Sequence, residues 1–336
     1  MTATPSSTAH STSMTASDRP RPEQPKSGQN QPQVNAPKPA RAAGERALVL
    51  GGGGSTGNAW LLGVIAGLFE AGLDVTGADL VIGTSAGSTA AAQIAGAPPM
   101  ELLATILAAA PQQQTGPAGS GGGRVPIRPV TEHMERTSAI IAAAKDAADM
   151  RRRMGAAALD MDAASDGSGQ TRWRATVAAR LPSQLWPRRR MLITAVDAQT
   201  GEPAVFDRHS GVDLVDAIAA SCASGFAYRI GDSRYIDGGY RTNADNADLA
   251  AGYGRVLVLS PFGGKSRTPV DWGMHLATQC DELLASGSRV ETIFPDSNSE
   301  HMLGANAMDL SLRPPAARAG YDQGKALAEQ LTEFWR

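Results

Sequence analysis

Twice in its first hundred residues the chain passes from a short apolar strand through a tight glycine turn into an apolar helix. The first passage is 47-ALVLGGGGSTGNAWLLGVIAGL-68 and the second is 80-LVIGTSAGSTAAAQIAG-96. Strand and helix alternating this quickly cannot form hairpins, and they predict a parallel sheet with helices packed on its faces. The pattern resumes later. Met191–Val196 and Pro203–Phe206 read as strands joined by the turn Ala198–Gly201, and Val212–Ser221 as a helix. Tyr235–Ile236, Arg255–Ser260 and Arg289–Phe294 read as further strands. Met100–Ala110, Asp271–Ser286 and Pro315–Trp335 read as helices. Apolar residues make up 42% of the chain, enough for a substantial core.

Two segments fall outside this pattern. Residues 1–44 contain no Leu, Ile, Phe, Tyr, Trp or Cys and hold seven prolines, so they cannot offset the entropy of ordering and are expected to form a disordered tail. They also lack the apolar core of a secretory signal. The folded domain is therefore expected over 45–336. Within it, 111–188 reads as a helical insertion. A Gln-, Gly- and Pro-rich loop opens it, one long helix covers 130–160, a flexible run covers 162–170 and a second helix covers 170–181. Its arginines, Arg151–Arg153 with Arg188–Arg190 beyond, read as a solvated face, with contact to anionic headgroups as the competing reading.

No run of eighteen apolar residues predicts a membrane span. A net charge of −2 gives no reason to expect nucleic acid as a partner. Cys222 and Cys280 match no metal spacing and no disulfide framework, and no metal is expected.

Gly52, Gly54 and Gly57 satisfy the G-x-G-x-x-G spacing of a dinucleotide site. That chemistry also needs an acid at the end of the second strand to bind the ribose hydroxyls. The second strand instead runs into Gly83-Thr84-Ser85-Ala86-Gly87, and no Lys follows the glycines as a P-loop requires. Nucleotide binding fails on both counts.

What replaces the acid is G-x-S-x-G between strand and helix, the setting of a nucleophile elbow. Gly83 and Gly87 allow the tight reversal, and Ser85 then stands at a helix N-terminus. The glycine loop suits an oxyanion hole, because residues without Cβ can turn several N–H groups toward one oxygen. Five histidines could serve as base: His10, His133, His209, His275 and His301. His301, in the polar loop 296–304, is the best placed, but no motif surrounds any of them. The acid in 237-DGGY-240 does carry a motif, at the end of a short strand.

Together 50-LGGGGSTG-57, 83-GTSAG-87 and 237-DGG-239, supported by 193-ITAVDAQTGEPAVFD-207 and 216-DAIAASCAS-224, resemble the patatin-like acyl hydrolases, in their bacterial, actinobacterial-type branch. The resemblance covers roughly residues 46–262. It implies a three-layer α/β/α sandwich with a mostly parallel central sheet. It also implies a Ser–Asp dyad with Ser85 as nucleophile, Asp237 as base, and the N–H groups of Gly52, Gly53 and Gly54 as oxyanion hole. Gly57, Gly83, Gly87, Gly238 and Gly239 support these motifs. The implied partner is a lipid or phospholipid, met in the cytoplasm or at a membrane surface, with no cofactor.

The chain departs from the family pattern at two points. Thr56 stands where many bacterial relatives carry a basic residue, and Gly225 and Phe226 stand where a proline commonly follows Ala-Ser. Two other readings stay open: an α/β-hydrolase triad using Ser85, an Asp and His301 or His275, and a non-catalytic lipid-binding module.

Overall fold

The structure, a computed structural model, describes residues 42–109, 130–163 and 168–336. The expectations for residues 1–41 and 110–129 lie outside these. Eight strands are described: β1 (Ala42–Leu50), β2 (Leu80–Gly83), β3 (Arg190–Asp197), β4 (Pro203–Phe206), β5 (Tyr228–Ile230), β6 (Ser233–Asp237), β7 (Tyr253–Leu259) and β8 (Arg289–Ile293). They form one sheet in the order β5-β6-β3-β2-β1-β7-β8, with β4 also paired to β3. The run β3-β2-β1-β7-β8 is parallel, whereas β4, β5 and β6 join antiparallel at one end.

The helices are α1 (Gly54–Glu70), α2 (Ala86–Gly96), α3 (Pro99–Ala108), α4 (Val130–Ala143), α5 (Ala147–Ala163), α6 (Ser168–Ala178), α7 (Leu214–Ser221), α8 (Leu276–Ala285) and α9 (Arg313–Trp335). Strand alternation divides them between the two faces of the sheet. Leu48 and Leu50 of β1, with Leu257 and Leu259 of β7, pack with residues of α1, α2, α3, α7 and α9. Ala47, Val49, Val256 and Val258 point the other way, into a core with Leu276 and Leu283 of α8. Both faces of the parallel strands are covered, which is why Ala47–Leu50 of β1 and the whole of β2 are apolar.

Helix α1 is buried along Thr56–Leu68 because the sheet lies on one side and α9 on the other. Glycines let these two helices meet backbone to backbone. A Cβ at Gly320 would stand 2.5 Å from Trp60 O, and one at Gly67 would stand 2.9 Å from Lys325 N. Gly63 and Gly324 face Ala317 and Val64 in the same way. The buried Trp60 donates to Gln323 Oε1 at 3.2 Å, and Trp335 closes α9 with its indole on Asp74 O at 3.3 Å.

Three expectations are corrected. Helix α1 starts at Gly54, directly on the glycine loop, not at Ala59. The helix expected over 130–160 is two helices. Asp146 accepts from Asp149 N at 2.7 Å while Asp149 Oδ2 accepts from Lys145 N at 3.1 Å, a reciprocal cap that starts α5 afresh. Strand β5 was not foreseen, since Tyr-Arg-Ile is too short to show a period.

Of the insertion's arginines, Arg151 is committed to the scaffold through Gly201 O (2.8 Å) and Arg241 O (3.1 Å), and Arg153 pairs with Asp149 at 2.9 Å. Among the described residues no single helix is long and apolar enough to cross a membrane. The bent pair α2–α3 meets only the length and composition test, and α2 is buried in the core.

Candidate active site

Three loop ends meet where β1, β2 and β6 finish. From β1 the chain turns through Gly51–Gly53 into α1. Gly51 N–H donates to Leu259 O (3.0 Å) and Gly52 N–H to Ala244 O (2.7 Å). Gly54 has φ +63, and a Cβ there would stand 2.7 Å from Ala307 O, so only glycine fits. Among the described residues the N–H groups of Gly53 and Gly54 make no hydrogen bond, and both residues line one large cleft. Of the three N–H groups expected as donors, that of Gly52 is therefore bonded to the loop that follows Asp237. Gly53 and Gly57 pack against Pro261, and Thr56 donates its N–H to Ala307 O at 3.0 Å.

From β2 the chain reverses at Ser85, which has φ 51 and ψ −115. Left-handed backbone at a residue with a side chain costs energy, and such strain collects at functional sites. The reversal needs bare backbone on both sides. A Cβ at Gly83 would stand 2.6 Å from Ser88 Cα, and one at Gly87 would collide with the carbonyl of Leu50. Ser85 N–H donates to Ser221 Oγ at 2.9 Å, and its carbonyl accepts from Ser88 Oγ (2.6 Å) and Cys222 Sγ (3.1 Å).

Ser85 Oγ donates to Asp237 Oδ2 at 2.8 Å. Asp237 ends β6, and its second oxygen accepts from Gly239 N–H at 2.8 Å. Gly238 lies against the backbone of Thr194 with no room for a Cβ. Asn246 fixes the two loops relative to each other. Its buried amide donates to Thr84 Oγ1 (2.9 Å) and to Gly238 O (3.0 Å), the neighbours of Ser85 and Asp237. Asp237 is 7% exposed, and burial pushes its carboxyl up to about 6 against the pull of the Gly239 and Ser85 hydrogen bonds. A carboxylate raised this far is a better proton acceptor near neutrality than an exposed one.

Among the described residues no histidine is hydrogen-bonded to Ser85 or Asp237. His275 Nε2 lies 2.8 Å from Thr268 O, exposed His301 is held only by its backbone, and His209 sits in a turn closed by Asp207. His133 does reach the cleft: its Nε2 is 3.0 Å from Ser224 Oγ and 3.3 Å from Tyr240 OH. Gly225, at φ +87, lets it in, since a side chain there would press on the imidazole at 3.1 Å. Among the described residues no three His, Cys, Asp or Glu are grouped to hold a metal.

The cleft encloses about 1770 Å³ and contains Ser85 and Asp237. Met134, Trp173, Phe226, Phe294 and Met308 supply much of its apolar lining. Met134, Phe294 and Met308 stay exposed at 43%, 41% and 58%. Such a cleft takes a long apolar ligand with one polar point of attack.

Residues 48–250 match the sequence profile of the patatin-like phospholipases. The chain belongs to that family. It is therefore a lipid acyl hydrolase at family level, and its sheet flanked by helices is the patatin-like α/β architecture. Among solved structures it is similar to VipD from Legionella pneumophila, with 14% identity over 86% of this chain and 68% of that one, at a TM-score of 0.39. It is also similar to the type III effector protein ExoU, with 15% identity over 87% of this chain and a TM-score of 0.34. This patatin-like chain spans about half, 54%, of the ExoU chain. No curated protein matches it.

Sequence reasoning did not find Ser221, Asn246 or Arg313, the last of which is bonded to the glycine loop. Each lies far along the chain from the residue it touches. Only 216-DAIAASCAS-224, already noted in the resemblance, held a signal for Ser221.

Proposed function

We propose that this chain cleaves fatty-acyl esters of phospholipids through a Ser85–Asp237 dyad, with the N–H groups of Gly53 and Gly54 receiving the oxyanion. The observation that carries the reading is the 2.8 Å hydrogen bond from Ser85 Oγ to Asp237 Oδ2, at a serine held in left-handed backbone. Asp237 takes the Ser85 proton as Oγ attacks the ester carbonyl. The oxyanion turns toward the free N–H groups at the start of α1, where the helix dipole adds to their field. Asp237 then protonates the leaving glycerol oxygen, giving an acyl-Ser85 ester. Water, deprotonated by the same carboxylate, releases the fatty acid.

A serine-directed fluorophosphonate is expected to label the protein at Ser85, as read by peptide mass spectrometry. Absence of labelling would favour a non-catalytic lipid-binding module. The base must be ionised to act, so kcat/KM for a short-chain nitrophenyl ester is expected to fall about tenfold per pH unit below an inflection near pH 6. A rate independent of pH from 5 to 8 would remove Asp237 from the role.

A further inference from the structure

Arg313 opens helix α9, yet its guanidinium lies on the glycine loop. Nη1 donates to Ser55 O (2.6 Å) and Ser55 Oγ (3.0 Å), and Nη2 donates to Asn58 Oδ1 (3.2 Å). Asn58 carries the connection onward through its amide, to Gln93 Oε1 at 2.9 Å and to Ala86 O, beside the nucleophile, at 3.4 Å. Gln93 in turn donates to Arg180 O at 3.1 Å. Arg180 lays its own guanidinium over the Trp173 ring at 5.7 Å.

Both arginines line the cleft that holds Ser85, and among the described residues neither forms an ion pair. Of the other cleft cations, Lys265 pairs with Glu300 at 2.8 Å, while Arg267, also without an ion pair among the described residues, is bonded through Nη1 to Met134 O, Thr137 and Ser138. Burial, with the charge of Arg180 added to it, pushes the Arg313 guanidinium down to about 10. A half-buried Arg313 without a carboxylate among the described residues is costly unless an anion completes it, and exposed Arg180 sets a second positive charge beside it.

We propose that Arg313 and Arg180 form the subsite for the phosphodiester of a glycerophospholipid whose acyl ester lies at Ser85. The proposal rests on the serine-hydrolase reading above. A neutral glyceride brings nothing to meet the two guanidiniums. The anion that a lipid carries within a few bonds of its acyl ester is the headgroup phosphate, and the guanidinium fork matches its oxygens. Arg313 retains Nε–H and one Nη2 hydrogen free for it among the described residues.

The test compares kcat/KM for monomeric dihexanoylphosphatidylcholine and dihexanoylglycerol in the full chain, Arg313→Gln and Arg180→Gln. It also measures binding of a non-hydrolysable diether phosphatidylcholine to Ser85→Ala protein carrying each change. The phospholipid-to-diglyceride ratio is expected to fall about 10-fold or more in each variant, mainly through KM, with a matching rise in the diether Kd. Arg180 makes no side-chain hydrogen bond among the described residues, so Arg180→Gln keeps the test open should Arg313→Gln fold poorly. Equal losses on both lipids would make Arg313 a brace for the loop and overturn the proposal. Inorganic phosphate displacing the diether lipid at equal concentration would also overturn it, in favour of a free-anion site. If the wild-type chain cleaves neither lipid while diether binding still depends on both arginines, the subsite stands and the hydrolase reading falls. Ser85-dependent cleavage with an unchanged ratio gives the reverse.

Discussion

Asparagine at position 237 is expected to lower kcat for ester hydrolysis by about 10³-fold or more and, at pH 8, to leave a more stable protein. The loss follows from the geometry. Asp237 Oδ2 accepts the Ser85 Oγ–H hydrogen bond, and an amide of the same shape would have no basic lone pair to take that proton. The gain follows from burial. The carboxyl titrates near 6 in the folded chain against 3.8 in its ordinary state, so the folded state holds the proton more tightly. Wild-type stability is therefore lost as pH rises from about 4 to 6, and the deficit, roughly 3 kcal/mol, persists above that. Thermal melts at pH 4 and pH 8 read this directly: the advantage of Asp237→Asn should appear only at the higher pH. Full activity in the variant would remove the dyad, and melting curves that coincide at both pH values would remove the buried charge as its energetic cost.

Valine at Gly320 is expected to destabilise the protein by about 3 kcal/mol and lower Tm by roughly 6–12 °C. A Cβ at that position already stands 2.5 Å from Trp60 O and 3.1 Å from Val64 N, so α9 must move off α1 along its length. The change lies on the helix pair that carries the glycine loop and Arg313 together at one end. Labelling of Ser85 by fluorophosphonate should slow along with it, as read in a time course at 25 °C. Unchanged stability would mean that the two helices tolerate a wider spacing than their glycines suggest.

What the sequence made legible was local. The two strand–glycine–helix passages, the elbow at Ser85 and the turn at Asp237 are each written in a few consecutive residues, and each lies where its pattern placed it on the sheet. The antiparallel strand β5 and the second start at Asp146 escaped because three residues carry no period and a single cap interrupts an otherwise continuous one. The bond that engages the Gly52 N–H was hidden for a different reason. Whether an N–H is free depends on its partner, here Ala244, almost two hundred residues away. The same distance hid Asn246 and Arg313, whose own surroundings in sequence are ordinary polar loop and helix start.

The close seam between α1 and α9 also sets an order on the birth of the molecule. Helix α1 and its glycine loop are made early, whereas α9 follows every strand of the sheet in the chain. Until α9 arrives, Gly63 and Gly67 expose bare backbone to water, and Ser55 and Asn58 lack the guanidinium that holds them. A nascent chain can thus carry both Ser85 and Asp237 outside the ribosome before the residues of α9 that meet α1 have been made.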